Sequence, residues 1–278
     1  MPGTLDPGIY IATKSRSVKA RYSILHMEIL YGYHPVNEAL KAGKRTIAEI
    51  WLSRDKSSSR RGTIVEKAAA RDIPLTQVPP SQLSTLAGSE RHQGVCARVS
   101  GFPYTDLNEV MRNGLLGKKD GSPSACWLLL DSIQDPHNLG ALVRTAYCAG
   151  VDGVVIPKDR SASPSPAVSR ISAGALEHIR LVRATNLVKA ISTFKSAGLW
   201  VAGLDRASGD TLFSTDLKVP LAIVVGSEEK GLRPLVKKNC DMLIGIPQKG
   251  EVDSLNASVA GGIVLYEVFR QRRAIRSS

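Results

Sequence analysis

At 278 residues the chain holds one large domain or two small ones, and a hydrophobic content of 43% supports a real core. With 37 basic against 25 acidic residues it carries a net charge of +12, which points to a polyanionic partner without separating RNA from DNA. No apolar run approaches the ~20 residues of a membrane span, and the widely separated Cys96, Cys126, Cys148 and Cys240, with no Cys-x-x-Cys pair, argue against a zinc site or a disulfide framework and read as buried thiols.

Residues 1–27 show little apolar periodicity and carry Lys14, Arg16, Lys19 and Arg21. They read as a disordered basic extension, with a presequence and a true start at Met27 as alternatives. Residues 28–102 alternate helix and strand signals. Helices are predicted at 34–43, 61–72 and 81–86, and extended segments at 47–52, 74–78 and 94–99, giving a small α/β module. Residues 103–124 form the linker, helical at most over 106–116 and then flexible by composition at 117–124. A second domain spans 125–278. Its apolar strand runs at 126–131, 153–156, 199–204, 221–226 and 242–246 are separated by helical patterns at 139–149, 187–197 and 232–239. Near-continuous apolar strands between helices indicate an α/β fold with a mostly parallel sheet covered on both faces.

The residues able to carry chemistry lie in the second domain. Its first strand runs into Asp131-Ser-Ile-Gln-Asp-Pro-His-Asn138 with no Gly-x-Gly, which argues against a dinucleotide-binding turn. Two later strands instead run into polar, Gly-containing loops, Gly226-Ser-Glu-Glu-Lys-Gly231 and the one around Gly250. Strand-end loops of open α/β sheets are where ligands bind. Asn138 stands where a helix cap belongs, before the stripe Leu139, Leu142, Val143, Ala146. Arg144 falls roughly 150° around that helix from the stripe and faces away from the core. Glu228 serves as a helix-start carboxylate, as a clamp on its loop, or as an orienter of Arg144. Ser254 reads as the cap of the last helix, and Asn256, a mediocre helix former, follows in its first turn. Gly261 and Gly262 weaken that helix unless another backbone packs closely there. His92 and Gln93 read as structural hydrogen-bond partners, His137 as a weak candidate for RNA contact or proton relay, and the scattered histidines suggest no metal site.

In order, Asn138-Leu-Gly-Ala-Leu-Val-Arg144, the Gly226-Ser-Glu-Glu-Lys-Gly231 loop and Ser254-Leu-Asn256 resemble the three motifs of the SpoU (TrmH-type) RNA 2′-O-ribose methyltransferases of the SPOUT superfamily. The pieces Gly32-Tyr-His-Pro-Val-Asn-Glu-Ala-Leu40 and Arg91-His-Gln-Gly-Val95 resemble the ribosomal-protein-L30e-like module that precedes the catalytic domain in many of these enzymes. The resemblance implies a C-terminal domain with a deep trefoil knot, S-adenosylmethionine as methyl donor, and a cytoplasmic homodimer joined through the knot region. The implied partner is structured RNA, with a guanosine 2′-hydroxyl of 23S rRNA as the leading target. The same reaction on tRNA or another rRNA position, a catalytically silent RNA-binding assembly factor, and a dinucleotide-dependent enzyme are the competing readings. By the same resemblance Arg144, Asn138, Glu228, Ser254 and Asn256 form the catalytic set, and Gly226, Ile246 and Leu255 hold the donor. A guanidinium is a poor base, so Arg144 is read as holding an RNA phosphate and favouring a developing alkoxide, with Ser254 and Asn256 orienting the ribose or Arg144. The family usually has Ile-Pro-Met where this chain has Ile246-Pro247-Gln248, which puts side-chain packing against the donor at 248 in doubt.

Overall fold

Two sheets divide the described residues of the computed structural model, which are 27–55, 59–112, 125–250 and 254–274. The basic extension before Met27 and the linker composition at 117–124 lie outside them. The first sheet has the order β1-β4-β2-β3, from β1 (Met27–Tyr31), β2 (Ile47–Ser53), β3 (Leu75–Val78) and β4 (Val95–Ser100). Helices α1 (Tyr33–Ala42), α2 (Ser59–Ala69) and α3 (Pro80–Ala87) cover it. Leu30, Val36, Leu40, Ile50, Ile64 and Val99 form its main core. Helix α1 ends as the sequence indicates: Gly43 takes a left-handed conformation and donates its N–H to Ala39 O. His92 and Gln93 make hydrogen bonds inside this module, to Gly94 N and Ser84 and to Tyr33 N. Strand β1 escaped the sequence reading because Glu28 interrupts its apolar run, and that carboxylate is taken up by Arg45 at 2.7 Å.

After the short α4 (Leu107–Arg112) comes the second sheet, six strands in the order β10-β8-β9-β5-β6-β7, with every pairing parallel. These are β5 (Cys126–Asp131), β6 (Gly153–Pro157), β7 (Leu181–Ala184), β8 (Trp200–Leu204), β9 (Leu221–Gly226) and β10 (Met242–Ile244). Helices α5 (Pro136–Cys148), α6 (Pro166–Ile171), α7 (Leu187–Ser196), α8 (Pro234–Asn239) and α9 (Ala257–Ala274) complete the unit. Two apolar layers, one on each face, bury β5, β6 and β9 completely, so these strands read as unbroken apolar runs. Strand β7 lies at the sheet edge, is four residues long and turns Arg183 outward, too little pattern to be found from sequence. Of the cysteines, Cys96 and Cys126 are buried and Cys240 half-buried, whereas Cys148 is exposed at the end of α5, against the reading of all four as buried.

Strands β5 and β9 are neighbours in register, with Asp131 opposite Gly226. The chain therefore leaves two adjacent strand ends side by side, and the loops carrying Asn138 and Glu228 emerge together. Helix α5 is held by Leu139, Leu142, Val143 and Ala146, all fully buried; each Leu or Val is worth about 1.5–3 kcal/mol of apolar transfer. Helix α9 crosses it where Gly261 sits: a Cβ there would overlap the Leu142 side chain. That contact explains a glycine inside a helix.

The two sheet units meet through charge rather than a shared apolar core. Arg45, with a fully buried side chain, donates from Nε to Glu177 Oε2 at 2.8 Å and from Nη2 to Oε1 at 3.2 Å. Ser169 Oγ donates to the same Glu177 at 2.8 Å. Lys44 donates to the Ile179 carbonyl at 3.2 Å, and His178 Nε2 pairs with Glu38 Oε2 at 2.9 Å.

Candidate active site

Asp135 and Pro136 start α5. The Asp135 side chain accepts from His137 N at 2.8 Å, and Pro136 occupies the first helical turn, where its missing N–H costs nothing. Asn138 is thus not the helix cap that the sequence suggested. It lies in the first turn, only 8% exposed, with its amide free of capping work. Nδ2 donates to Glu228 Oε1, and Oδ1 accepts from Asn256 Nδ2 at 3.0 Å. Asn256 Oδ1 in turn accepts from Ser258 N at 2.9 Å and Val259 N at 3.3 Å. Asn256, not Ser254, therefore caps α9. The Asn side chain that caps one helix also grips the first turn of another. Three residues from three separate strand-end segments, 90 and 118 positions apart in sequence, form one chain of hydrogen bonds.

The 226–231 loop is held at both ends. Ser227 and Gly231 exchange backbone hydrogen bonds of 3.2 and 2.9 Å. A Cβ on Gly226 would overlap the Gly231 carbonyl, and Gly231 has φ 60°, so both positions require glycine. Beyond the loop, Arg233 donates from its backbone N–H and from Nε to Asp131 at 2.8 and 2.6 Å. Asp131 is fully buried at the end of β5. This pair fixes where the Glu228 loop returns to the sheet. The sequence reading passed over both residues. An acid closing a strand that is otherwise wholly apolar, Cys-Trp-Leu-Leu-Leu-Asp131, was the available signal, since a buried carboxylate needs a partner.

Beside Glu228 lies a cavity of about 310 Å³. Gly226, Ile246 and Leu255 all line it, together with Ser254, Glu228 and Gln248. Apolar side chains from Leu204, Val225 and Leu232 and polar ones from Arg206 and Lys230 contribute to the wall, which suits a ligand with both a ring and charged ends. At the rim Lys237 pairs with Asp205. Burial alone would raise the Asp205 carboxyl, but hydrogen bonds from Lys237 and the Ala207 amide bring it below its ordinary value.

Arg144 stands apart. It is exposed on α5, six residues from Asn138 and so about 9 Å along the axis, and it touches none of the other candidates in the described chain. Its outward direction is the one its helical phase indicated. His137 is exposed beside Asn138. Among the described residues no group of three or more His, Cys, Asp or Glu is placed to hold a metal ion. Burial pushes the Cys126 thiol up to about 11 and the Cys96 thiol up to about 12, which leaves neither as a thiolate nucleophile near neutral pH.

This geometry has known counterparts. The model of the SpoU rRNA methylase family matches residues 125–266, and that of the RNA 2′-O ribose methyltransferase substrate-binding domain matches residues 29–105. A protein of Staphylococcus haemolyticus assigned to the TrmH family of tRNA/rRNA methyltransferases is 39% identical over 89% of this chain and 97% of its own length. The 23S rRNA (guanosine-2′-O-)-methyltransferase of Pseudomonas putida is 38% identical over 90% of this chain and 99% of its own. Among solved structures, an RNA 2′-O ribose methyltransferase superposes with a TM-score of 0.74 at 25% identity, covering 92% of this chain and 93% of that one. The S-adenosylmethionine-bound rRNA methyltransferase of Sinorhizobium meliloti also gives 0.74 at 25% identity, over 91% and 90%. The chain belongs to the SpoU rRNA methylase family, with a substrate-binding module ahead of its methyltransferase domain.

Proposed function

We propose that this protein transfers the methyl group of S-adenosylmethionine to the ribose 2′-hydroxyl of a guanosine in 23S rRNA. The observation that carries this reading is the hydrogen-bonded set Glu228–Asn138–Asn256, whose Glu228 lines the same cavity as Gly226, Ile246 and Leu255. Its support from relatives is the P. putida enzyme, similar along nearly its whole length.

The residues present fit the donor. Gly226 lines the cavity without a side chain to obstruct it, and Leu204, Val225 and Leu255 supply apolar surface for an adenine ring. Gly226, Ile246 and Leu255 are the proposed holders of the donor, and Gln248 lines the same wall. When bound, S-adenosylmethionine supplies a methyl group already activated by its sulfonium. The chain must then align the ribose oxygen, exclude water and manage one proton. Holding reactants in line contributes as much as ~7–11 kcal/mol to lowering a barrier. Asn138 and Asn256, locked to each other and through Asn138 to Glu228, fix the position of that cavity-lining carboxylate, and Ser254 offers a hydroxyl to the same cavity. Arg144 presents its guanidinium to an RNA phosphate and favours a developing alkoxide on the ribose.

Arg144 points to solvent in the single chain, so its place in the site implies a second protomer. Val259, Tyr266 and Phe269 are large apolar side chains exposed on α9, beside the helix that carries Arg144. We assign this face to a homodimer formed through the knotted C-terminal region. Residues 28–102 serve as the RNA-gripping module, 103–124 as the linker and 125–278 as the catalytic domain of a cytoplasmic enzyme, preceded by the extension 1–27. A tRNA target is the second reading, favoured by the tRNA/rRNA assignment of the S. haemolyticus relative. Mapping 2′-O-methyl groups in rRNA and tRNA from a strain lacking the gene decides between them. Loss of one guanosine methyl in 23S rRNA is expected, and an unchanged rRNA pattern contradicts the proposal.

A further inference from the structure

At the far end of α5, where the two sheet units meet, lies a second polar pocket that the methyl-transfer site does not use. Its walls include Lys44, Tyr104, Glu109, Tyr147, His178 and Arg180. We propose that Tyr147 and His178 form a stacking platform for an unpaired base of the RNA substrate, with Lys44 and Arg180 facing its phosphates. This rests on the methyltransferase reading and names a contact of the same substrate.

Three observations converge here. First, Tyr147 leaves 46% of its surface exposed, and its ring lies on His178 at 5.3 Å between centroids and 25° between planes. An aromatic face held open beside cations is how single-stranded nucleic acid is commonly bound. Second, the platform is rigid and shared by both units. Glu38 of the small module fixes the His178 ring at 2.9 Å, and Lys44 binds the His178 carbonyl. Burial and the nearby Arg180 lower the Lys44 ammonium from its ordinary value, with Glu177 acting the other way, and its hydrogen-bond partners are carbonyl oxygens. Third, α5 is a common backbone for both sites. Asn138 and Tyr147 are nine residues apart, about 13 Å along the axis. Arg144 and Tyr147, three apart, share the exposed face between them. An RNA strand with a phosphate on Arg144 continues along that face toward Tyr147. Two carboxylates also line the pocket. Asp152 accepts the Cys126 amide at 2.8 Å but keeps its charge, so Asp152 and Glu109 both oppose an incoming phosphate.

The test uses the full-length protein, a 23S rRNA fragment and a tRNA transcript, with RNA affinity read by filter binding and methyl transfer by radiolabelled donor. Tyr147→Ala is expected to weaken binding of the methylated RNA roughly 5- to 150-fold, the range of one lost base stack. Its KM for RNA rises while kcat at saturating RNA is retained, and donor affinity by calorimetry is unchanged. Tyr147→Phe, which keeps the ring, retains affinity, and Glu109→Gln binds RNA at least as tightly as the parent. RNA affinity of Tyr147→Ala within twofold of the parent overturns the platform. So does a change in its oligomeric state by light scattering, which assigns the ring to a protein contact. If Tyr147→Ala fails to fold, loss of RNA affinity by Lys44→Gln carries the proposal and its absence overturns it. Wild-type protein that methylates neither RNA contradicts the methyl-transfer reading itself, an outcome distinct from all of these.

Discussion

Asn138 shows how much one side-chain amide is asked to do. Its two halves are bound to partners from different loops, so it has no freedom to rotate, and it transmits the position of Glu228 to Asn256. Asn256 carries a double load, because the oxygen that caps α9 and the nitrogen that grips Asn138 belong to one group. Replacing Asn256 with Ala removes the cap, costing about 1 kcal/mol of stability, and frees Asn138. The expected result is a small drop in Tm with a much larger drop in turnover; equal activity at the same Tm contradicts the coupling. Arg144→Ala is expected to leave the fold and donor binding intact by calorimetry, since the side chain is exposed, while methylation is lost. Near-normal turnover by that variant removes Arg144 from the mechanism.

Among the elements, the loop between β9 and α8 depends most visibly on a residue far away in sequence. Asp131 is buried, and Arg233 is its charged partner. Asp131→Asn keeps the shape but loses the charge-assisted bonds, so the loop that lines the donor cavity is held less firmly. Donor affinity is expected to fall by at least tenfold in calorimetry, with RNA affinity little changed; donor binding within twofold of the parent would show that the loop does not need this pair. Elements of this unit were largely legible in the sequence. The near-continuous apolar runs Cys126–Asp131 and Leu221–Gly226 announced themselves, as did the helical stripe starting at Leu139. What stayed hidden were β1, broken by the charge of Glu28, the six-residue α6, and β7, short and at an edge. Caps were misplaced by a few residues at both Asn138 and Ser254, because several cap-forming residues stand close together at each helix start and periodicity does not rank them. The meeting of Asn138, Glu228 and Asn256 lies beyond local pattern altogether, since it follows from β5 and β9 ending side by side.

On the scale of the whole molecule, a polar interface joins the substrate-binding module to the methyltransferase domain. Buried ion pairs add little net stability, but removing one partner leaves an uncompensated charge. Glu177→Ala leaves the buried Arg45 with Glu28 as its remaining carboxylate and is expected to cost less than the ~3–5 kcal/mol of a fully unpaired buried charge, read as an earlier unfolding transition. An unchanged transition would mean that the latch is not closed in solution. The neighbouring Glu38 contact adds a pH dependence. Burial acts to raise this carboxyl, but hydrogen bonds from Lys41 and His178 outweigh it and hold it below its ordinary 4.5. A depressed carboxylate stabilises the folded state fully above that ordinary value and loses the contribution as pH falls through the depressed one. Acid titration of stability is therefore expected to show a component below pH 4.5 that Glu38→Gln removes.

The account stands on a donor cavity at the strand ends serving an RNA ribose. Its most direct test is to incubate the purified protein with radiolabelled S-adenosylmethionine and 23S rRNA lacking modifications, then locate the label. Label on the 2′-oxygen of a single guanosine, absent with Arg144→Ala, is the result expected. Label that never reaches RNA, or reaches a base instead of a ribose, contradicts it.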